Sequence, residues 1–226
     1  MTASRSGTDY LADRLPIVIL LSGRGSNMQV IAQLAARGEL PIDIRAVISD
    51  RVDAGGLAIA AAMGIPVATL LPGDFPDRLA FDAALVRLIE SHAPGLIVLA
   101  GFMRILGATF TAQFRGRTLN IHPSLLPKYR GLHTHRRALA AGDTVHGASV
   151  HFVTEELDGG PVVIQGCVPV LPTDTESTLS ARVQGQEHRI YPEVIRWFAQ
   201  RRLRYQAGEA WFDDAPLASP IIREDS

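Results

Sequence analysis

The chain has 226 residues, a formal net charge of −1, and 47% hydrophobic against 20% charged residues. That balance belongs to an ordinary globular protein with a sizeable core, and it lacks the basic excess of a nucleic-acid-binding surface. The one cysteine, Cys167, excludes an internal disulfide framework and fits a reducing cytosol, and no apolar run approaches the length of a membrane span.

Residues 1–15 are polar and mixed in charge, without the apolar stretch of a signal peptide, and read as a loose N-terminal extension. Residues 16–21 (PIVILL) form a β-branched apolar run, the pattern of a buried parallel strand. SGRGSN follows at 22–27 as a tight glycine-rich turn. From Asn27 the period becomes helical, with Met28, Ile31, Leu34 and Ala35 on one face up to Gly38. Residues 42–49 predict a second strand, 54–63 an alanine-rich helix closed by Gly64, and 66–70 a third strand. Residues 74–92 predict an amphipathic helix that turns Phe81, Leu85, Leu88 and Ile89 to the sheet, before a fourth strand at 95–100 (GLIVLA). Residues 101–106 leave that strand as a loop turning into a short helix, and a fifth strand follows at 118–121. Strand and helix alternate with short connections. This predicts the α/β class: a doubly wound, mostly parallel sheet with right-handed crossovers and helices on both faces.

Farther on, 133–141 predicts a short helix ended by Gly142, and 146–154 (HGASVHFVT) alternates like a half-exposed strand. Residues 154–160 (TEELDGG) read as an acidic turn, and 161–170 as the antiparallel hairpin partner of the strand before it. Residues 175–203 predict a long C-terminal helix that tolerates Pro192 only as a kink or break. The remainder reads as polar and irregular. With no repeat and no clear linker, 16–205 are expected to form a single domain, followed by a tail at 206–226.

The chemistry concentrates at residues 119–137 (LNIHPSLLPKYRGLHTHRR). Asn120 and His122 stand two apart at a strand end and therefore share a face. Pro123, Pro127 and Gly131 then force a shaped loop carrying Lys128, Arg130, His133 and His135. Such a loop after a core strand lies at the open end of the sheet, where α/β proteins place their sites. Asp158, before a glycine pair, is either a plain turn acid or a partner for Asn120 and His122. An amide, an imidazole and a carboxylate meeting at one edge suffice for a proton-shuttled acyl transfer. In the first turn, Gly23 and Gly25 let backbone approach a ligand at a helix N-terminus, which favours a phosphate site over a bare strand-to-helix turn. A dinucleotide fingerprint would want a third glycine where Met28 stands, although Asp50 remains available as a ribose-binding acid. Five of the seven histidines fall between 122 and 151. They lack metal-ligand spacing, and His146 and His151 read as structural hydrogen-bonders.

The motifs SGRGSN (22–27), AGFMRIL (100–106), LNIHPSLLP (119–127), GLHTH (131–135), HGASVH (146–151) and ELDGG (156–160) closely resemble those of the folate-dependent glycinamide ribonucleotide formyltransferases. The likeness runs in order from about residue 17 to residue 203. The block around Asn120 and His122 is shared with other formyltetrahydrofolate-using enzymes; the glycine loop and GLHTH are more specific. The resemblance implies a Rossmann-like formyltransferase fold. The activity it implies is transfer of a formyl group from 10-formyltetrahydrofolate, as co-substrate, to the amine of glycinamide ribonucleotide. That reaction serves cytoplasmic purine synthesis and needs no metal, and a homodimer stays open. By position, Asn120, His122 and Asp158 would be catalytic. Gly25, Ser26, Asn27 and Glu187 would bind the ribonucleotide. Arg78, Met103, Arg104, Ile105, Leu106, Asn120, Thr154, Glu155, Glu156, Leu157 and Asp158 would line the folate pocket. Neither the extra C-terminal domain of the tRNA formyltransferase nor the N-terminal regulatory domain of the formyltetrahydrofolate hydrolase is expected from these 226 residues. A hydrolase or another formyltetrahydrofolate-dependent transferase is the alternative, beside a dinucleotide oxidoreductase and a non-catalytic binding module. Arg24 and Arg130 depart from the family's pattern and have no assigned role.

Overall fold

A computed structural model describes residues 14–224. Eight strands form one sheet in the order β11-β7-β6-β5-β4-β1-β2-β3, with β1 Leu15–Leu21, β2 Ile42–Ser49, β3 Val67–Thr69, β4 Leu96–Leu99, β5 Thr118–His122, β6 Val145–Phe152, β7 Val162–Pro169 and β11 Ile221–Glu224. Strands β1 to β5 pair in parallel, and β6 runs antiparallel to both β5 and β7. The helices are α1 Ser26–Ala36, α2 Gly55–Ala62, α3 Arg78–Glu90, α4 Ala108–Gln113, α5 Thr134–Ala141 and α6 Glu176–Ala199. The expected α/β sheet, antiparallel hairpin and long C-terminal helix are all present.

The apolar run of β1 is buried on both faces because alternate residues serve two cores. Ile17, Ile19 and Leu21 pack with Met28 and Ile31 of α1 and with Ile190, Val194 and Ile195 of α6. Val18 and Leu20 pack with Phe81, Leu85 and Ile89 of α3 and with Phe110 and Phe114 of α4. This is the two-sided burial that a parallel sheet demands. Tyr191 of α6 is fully buried, and its hydroxyl lies 3.0 Å from the carbonyl of Leu99 and 2.9 Å from that of Leu119. It ties the long helix to β4 and β5, and burial raises its phenol well above the usual range.

Several expectations are corrected. Leu15 already belongs to β1, and residues 1–13 of the expected extension lie outside the described residues. The helix expected over 74–92 splits into a 3₁₀ turn at Pro72–Asp74 and α3, which Asp77 caps by accepting from the Ala80 N–H at 2.8 Å. Strand β6 is buried from His146 to Phe152 rather than half-exposed, because strands flank it on both edges and α6 packs against it. Helix α6 runs through Pro192 without a break and stops at Ala199. The stretch expected to be irregular instead forms strands. β8 Leu203–Gln206 and β9 Glu209–Phe212 make a hairpin with β10 Ala215–Pro216, and β11 extends the main sheet in parallel with β7. Ala207 and Gly208 between β8 and β9 both have positive φ, the geometry of a tight two-residue hairpin turn.

Candidate active site

From β1 the chain winds outward to β2 and β3, and from β4 it winds the other way to β5. The carboxyl ends of β1 and β4 therefore flank a crevice at the reversal of strand order. The loops after these two strands touch there. The Ser22 N–H donates to the Gly101 carbonyl at 3.0 Å, and the Met103 N–H donates to Ser22 Oγ at 2.9 Å.

One end of the crevice is a helix N-terminus. Gly25 precedes α1 with φ 79°, and no side chain caps the helix, so its first N–H groups face an incoming anion. A Cβ at Gly25 would stand 2.6 Å from Cα of Gly56, so the tight approach to α2 needs glycine as much as the positive φ does. Asn27 Nδ2 donates to Glu187 Oε2 at 2.7 Å, and Gln184 Nε2 donates to Ser26 Oγ at 2.9 Å. Asn27 Oδ1 is buried without a partner, an acceptor aimed at whatever donor a ligand brings. Burial pushes the Glu187 carboxyl upward, opposed by the Asn27 bond. Gly25, Ser26, Asn27 and Glu187 are thus brought together. Arg24 is exposed, and the Asp50 carboxylate lies 4.0 Å from Arg104.

The other end is a cluster around Asp158. Strand register sets Asn120 of β5 directly opposite His151 of β6, and Asn120 Nδ2 lies 3.0 Å from His151 Nε2. His151 Nδ1 is 2.9 Å from the Phe152 carbonyl, which can only accept. The proton therefore sits on Nδ1, and Nε2 accepts from the Asn120 amide. Burial holds His151 neutral, with its pKa lowered to about 4. The second Asn120 N–H is left free to donate into the crevice. His122 Nε2 lies 3.0 Å from the Tyr129 carbonyl and must donate there, so its Nδ1 faces Asp158 Oδ2 at 3.4 Å. Asp158 Oδ2 also accepts from the Gly131 N–H at 2.9 Å, and Oδ1 lies 3.7 Å from His151 Nε2. Asp158 has φ 48°, and its side chain is only 8% exposed. The carboxylate thus lies between two imidazoles and accepts a backbone N–H.

Beside this cluster lies a cleft lined by Leu99, Phe102, Arg104, Ile105, Leu106, Asn120, His151, Val153 and the loop Thr154 to Asp158. It therefore contains Arg104, Ile105, Leu106, Asn120, Thr154, Glu155, Glu156, Leu157 and Asp158, while Arg78 and Met103 stand outside its lining. Arg78 lies 3.7 Å from Asp82 in the next turn of α3, and Met103 is 69% exposed. The cleft's lining mixes an apolar wall of Leu99, Phe102, Ile105, Leu106, Val153 and Leu157 with polar and charged groups, which suits a ring with polar edges.

His151 is the hydrogen-bonder expected of it, and the group it holds is the Asn120 amide. The signal was available only as register, since Asn120 and His151 are 31 residues apart in the chain. Gln184 was missed too, although it precedes Glu187 by three residues on one helix face. His133 precedes α5 with φ 59°, and His135 Nδ1 lies 3.2 Å from His146 Nε2. Burial lowers both, His146 to about 4. Among the described residues no group of three or more His, Cys, Asp or Glu side chains could hold a metal ion.

Residues 15–195 match the formyl transferase family. The chain is similar to phosphoribosylglycinamide formyltransferase of Escherichia coli, with 53% identity over 201 residues, 89% of this chain and 95% of that protein. It is 47% identical to the Haemophilus influenzae enzyme of the same name, over 89% of this chain and 95% of that protein. A solved structure of phosphoribosylglycinamide formyltransferase from Coxiella burnetii in complex with CHES superposes with a TM-score of 0.89. It is 51% identical and covers 93% of this chain and 99% of that one. The chain belongs to the formyl transferase family, to which its motifs and its folded core both point.

Proposed function

We propose that the chain transfers the formyl group of 10-formyltetrahydrofolate to the amine of glycinamide ribonucleotide, a step of purine synthesis. What supports this reading is that the loop leading into the α1 N-terminus touches the loop after β4, which lines the cleft beside Asn120 and Asp158. An uncapped helix N-terminus suited to a phosphate stands across from an amide and carboxylate suited to acyl transfer. 10-Formyltetrahydrofolate, when bound, supplies an electrophilic one-carbon carbonyl. Asn120 donates its free N–H to the formyl oxygen as that oxygen gains negative charge. Asp158 accepts the proton that the attacking amine sheds, sharing it with His122, and returns it to the departing folate nitrogen. The new carbon–nitrogen bond thus forms at the ribonucleotide amine and the old one breaks at the folate. Gly25, Ser26 and Asn27 hold the phosphate, and Glu187 with the Asn27 amide faces the ribose. Fixing the two substrates face to face accounts for the rest of the rate. The free thiol of the lone Cys167 suits a reducing compartment, and on that ground the reaction is assigned to the cytoplasm.

The test follows tetrahydrofolate release with both substrates and with the formyl donor alone. Release that requires the ribonucleotide and yields its formylated product is expected. Release at the same rate with water as acceptor would make the chain a hydrolase.

A further inference from the structure

The segment 129–131 grips the catalytic cluster with its backbone. The Tyr129 carbonyl holds His122, and the Gly131 N–H holds Asp158. Both residues have positive φ, 56° at Tyr129 and 77° at Gly131. For a bulky aromatic this conformation is strained and persists only where surroundings enforce it. The enforcement is visible. Tyr129 Oη donates to Asp143 at 2.8 Å, the Arg137 guanidinium lies 5.1 Å from the Tyr129 ring centroid, and Arg137 donates to the Arg130 carbonyl at 2.7 Å. Between the two gripping residues, the Arg130 side chain reaches the other way and ion-pairs with Glu156 of the cleft loop. The side chain of Glu156 lies so close over Gly159 that a Cβ there would collide with it. The Gly159 N–H donates to the Glu156 carbonyl at 3.1 Å, closing the turn that contains Asp158.

Resting on the function proposed above, we propose that Arg130 is a positioning residue: its ion pair with Glu156 straps the 154–158 loop to segment 129–131 and so holds Asp158 at the distance from His122 that proton transfer needs. Two rungs, Arg130–Glu156 and Gly131–Asp158, join the same two segments. The hydrogen bond alone leaves the loop free to pivot about Asp158; the ion pair removes that freedom. Arg130 does not itself line the cleft, but the loop it straps does, so the strap's own signature is a loss in kcat with KM for the ribonucleotide unchanged. The pair is partly exposed, 38% at Arg130 and 64% at Glu156, so its contribution is modest and screened by salt.

The experiment compares Arg130→Glu, Glu156→Arg and the doubly reversed protein in the full chain, by steady-state kinetics and by backbone amide exchange at Gly131 and over 154–160. Each single reversal should lower kcat by about 3- to 10-fold with KM for the ribonucleotide unchanged, and should speed exchange at Gly131. The double reversal should recover most of the loss in both readouts. Single variants with wild-type kcat would overturn the strap. So would a double variant no better than the worse single, or an Arg130→Glu loss confined to KM for the folate. Amide exchange needs no substrate. If exchange responds and recovers while the wild-type chain transfers no formyl group, the strap stands and the function proposed above falls.

Discussion

At the end proposed to hold a phosphate, the geometry is set by backbone: Gly25, an uncapped helix start, and a close approach to Gly56 that no other residue permits. At the end proposed for proton transfer, it is set by side chains. Asn120, His122, His151 and Asp158 come from β5, β6 and a loop, and are aligned by strand register and by left-handed turns at Tyr129, Gly131 and Asp158. A site made of backbone is compact in sequence and fails through affinity. A site made of converging side chains is dispersed in sequence and fails through rate. That contrast makes definite expectations.

The largest effect is expected at Asp158. Asp158→Asn keeps the shape and the Gly131 bond but removes the proton acceptor, and kcat should fall by about 10²–10⁴-fold with both KM values little changed. A change confined to KM would make Asp158 a binding residue. Next is Asn120→Ala, which removes the oxyanion donor and should cost about 10²–10³-fold in single-turnover rate. Gly25→Ala should act oppositely. It forces a strained φ and a Cβ onto Gly56, weakening the phosphorylated substrate's binding and lowering stability by about 1–3 kcal/mol. Calorimetry together with titration of the dephosphorylated analogue separates the two losses, and equal affinity for both ligands would remove the phosphate assignment.

The smallest effect concerns acid. His146 and His151 have pKa values near 4 in the folded chain against 6.5 when exposed, so the unfolded chain binds more protons between those values. Stability should therefore be flat above pH 6.5 on their account and decline as the pH drops toward 4. Glu187, whose carboxyl is raised by burial, works the other way in the upper part of its own window, since the folded chain holds that proton longer. In chemical denaturation, Glu187→Gln should steepen the acid decline; an unchanged profile would remove the buried carboxyl from the explanation.

The same contrast explains what was legible in the sequence. The β1 run, the glycine turn and the alternation of strand and helix announce the parallel half, because burial on two faces leaves an unbroken apolar pattern. Asn120 and His122 were readable as neighbours on one strand, and Asp158 only as a candidate. His151 was not readable as their partner, since nothing local sets the register that puts it opposite Asn120. Strand β6 looked half-exposed because Gly147 and Ser149 interrupt its apolar run, yet both are buried between flanking strands. The last twenty residues looked irregular because Ala207-Gly208 is a weak turn signal beside Asn-Gly, and because β11 gains its burial from β7, far away in sequence.

The central claim is that Asp158 and His122 move one proton as a unit, and a double-mutant cycle measures it most directly. Single-turnover formyl transfer would be compared among wild type, Asp158→Asn, His122→Gln and the double variant, with both substrates saturating. A double variant about as slow as the slower single is expected of two groups acting together. Losses that multiply independently would mean that the two side chains serve separate purposes and share no proton.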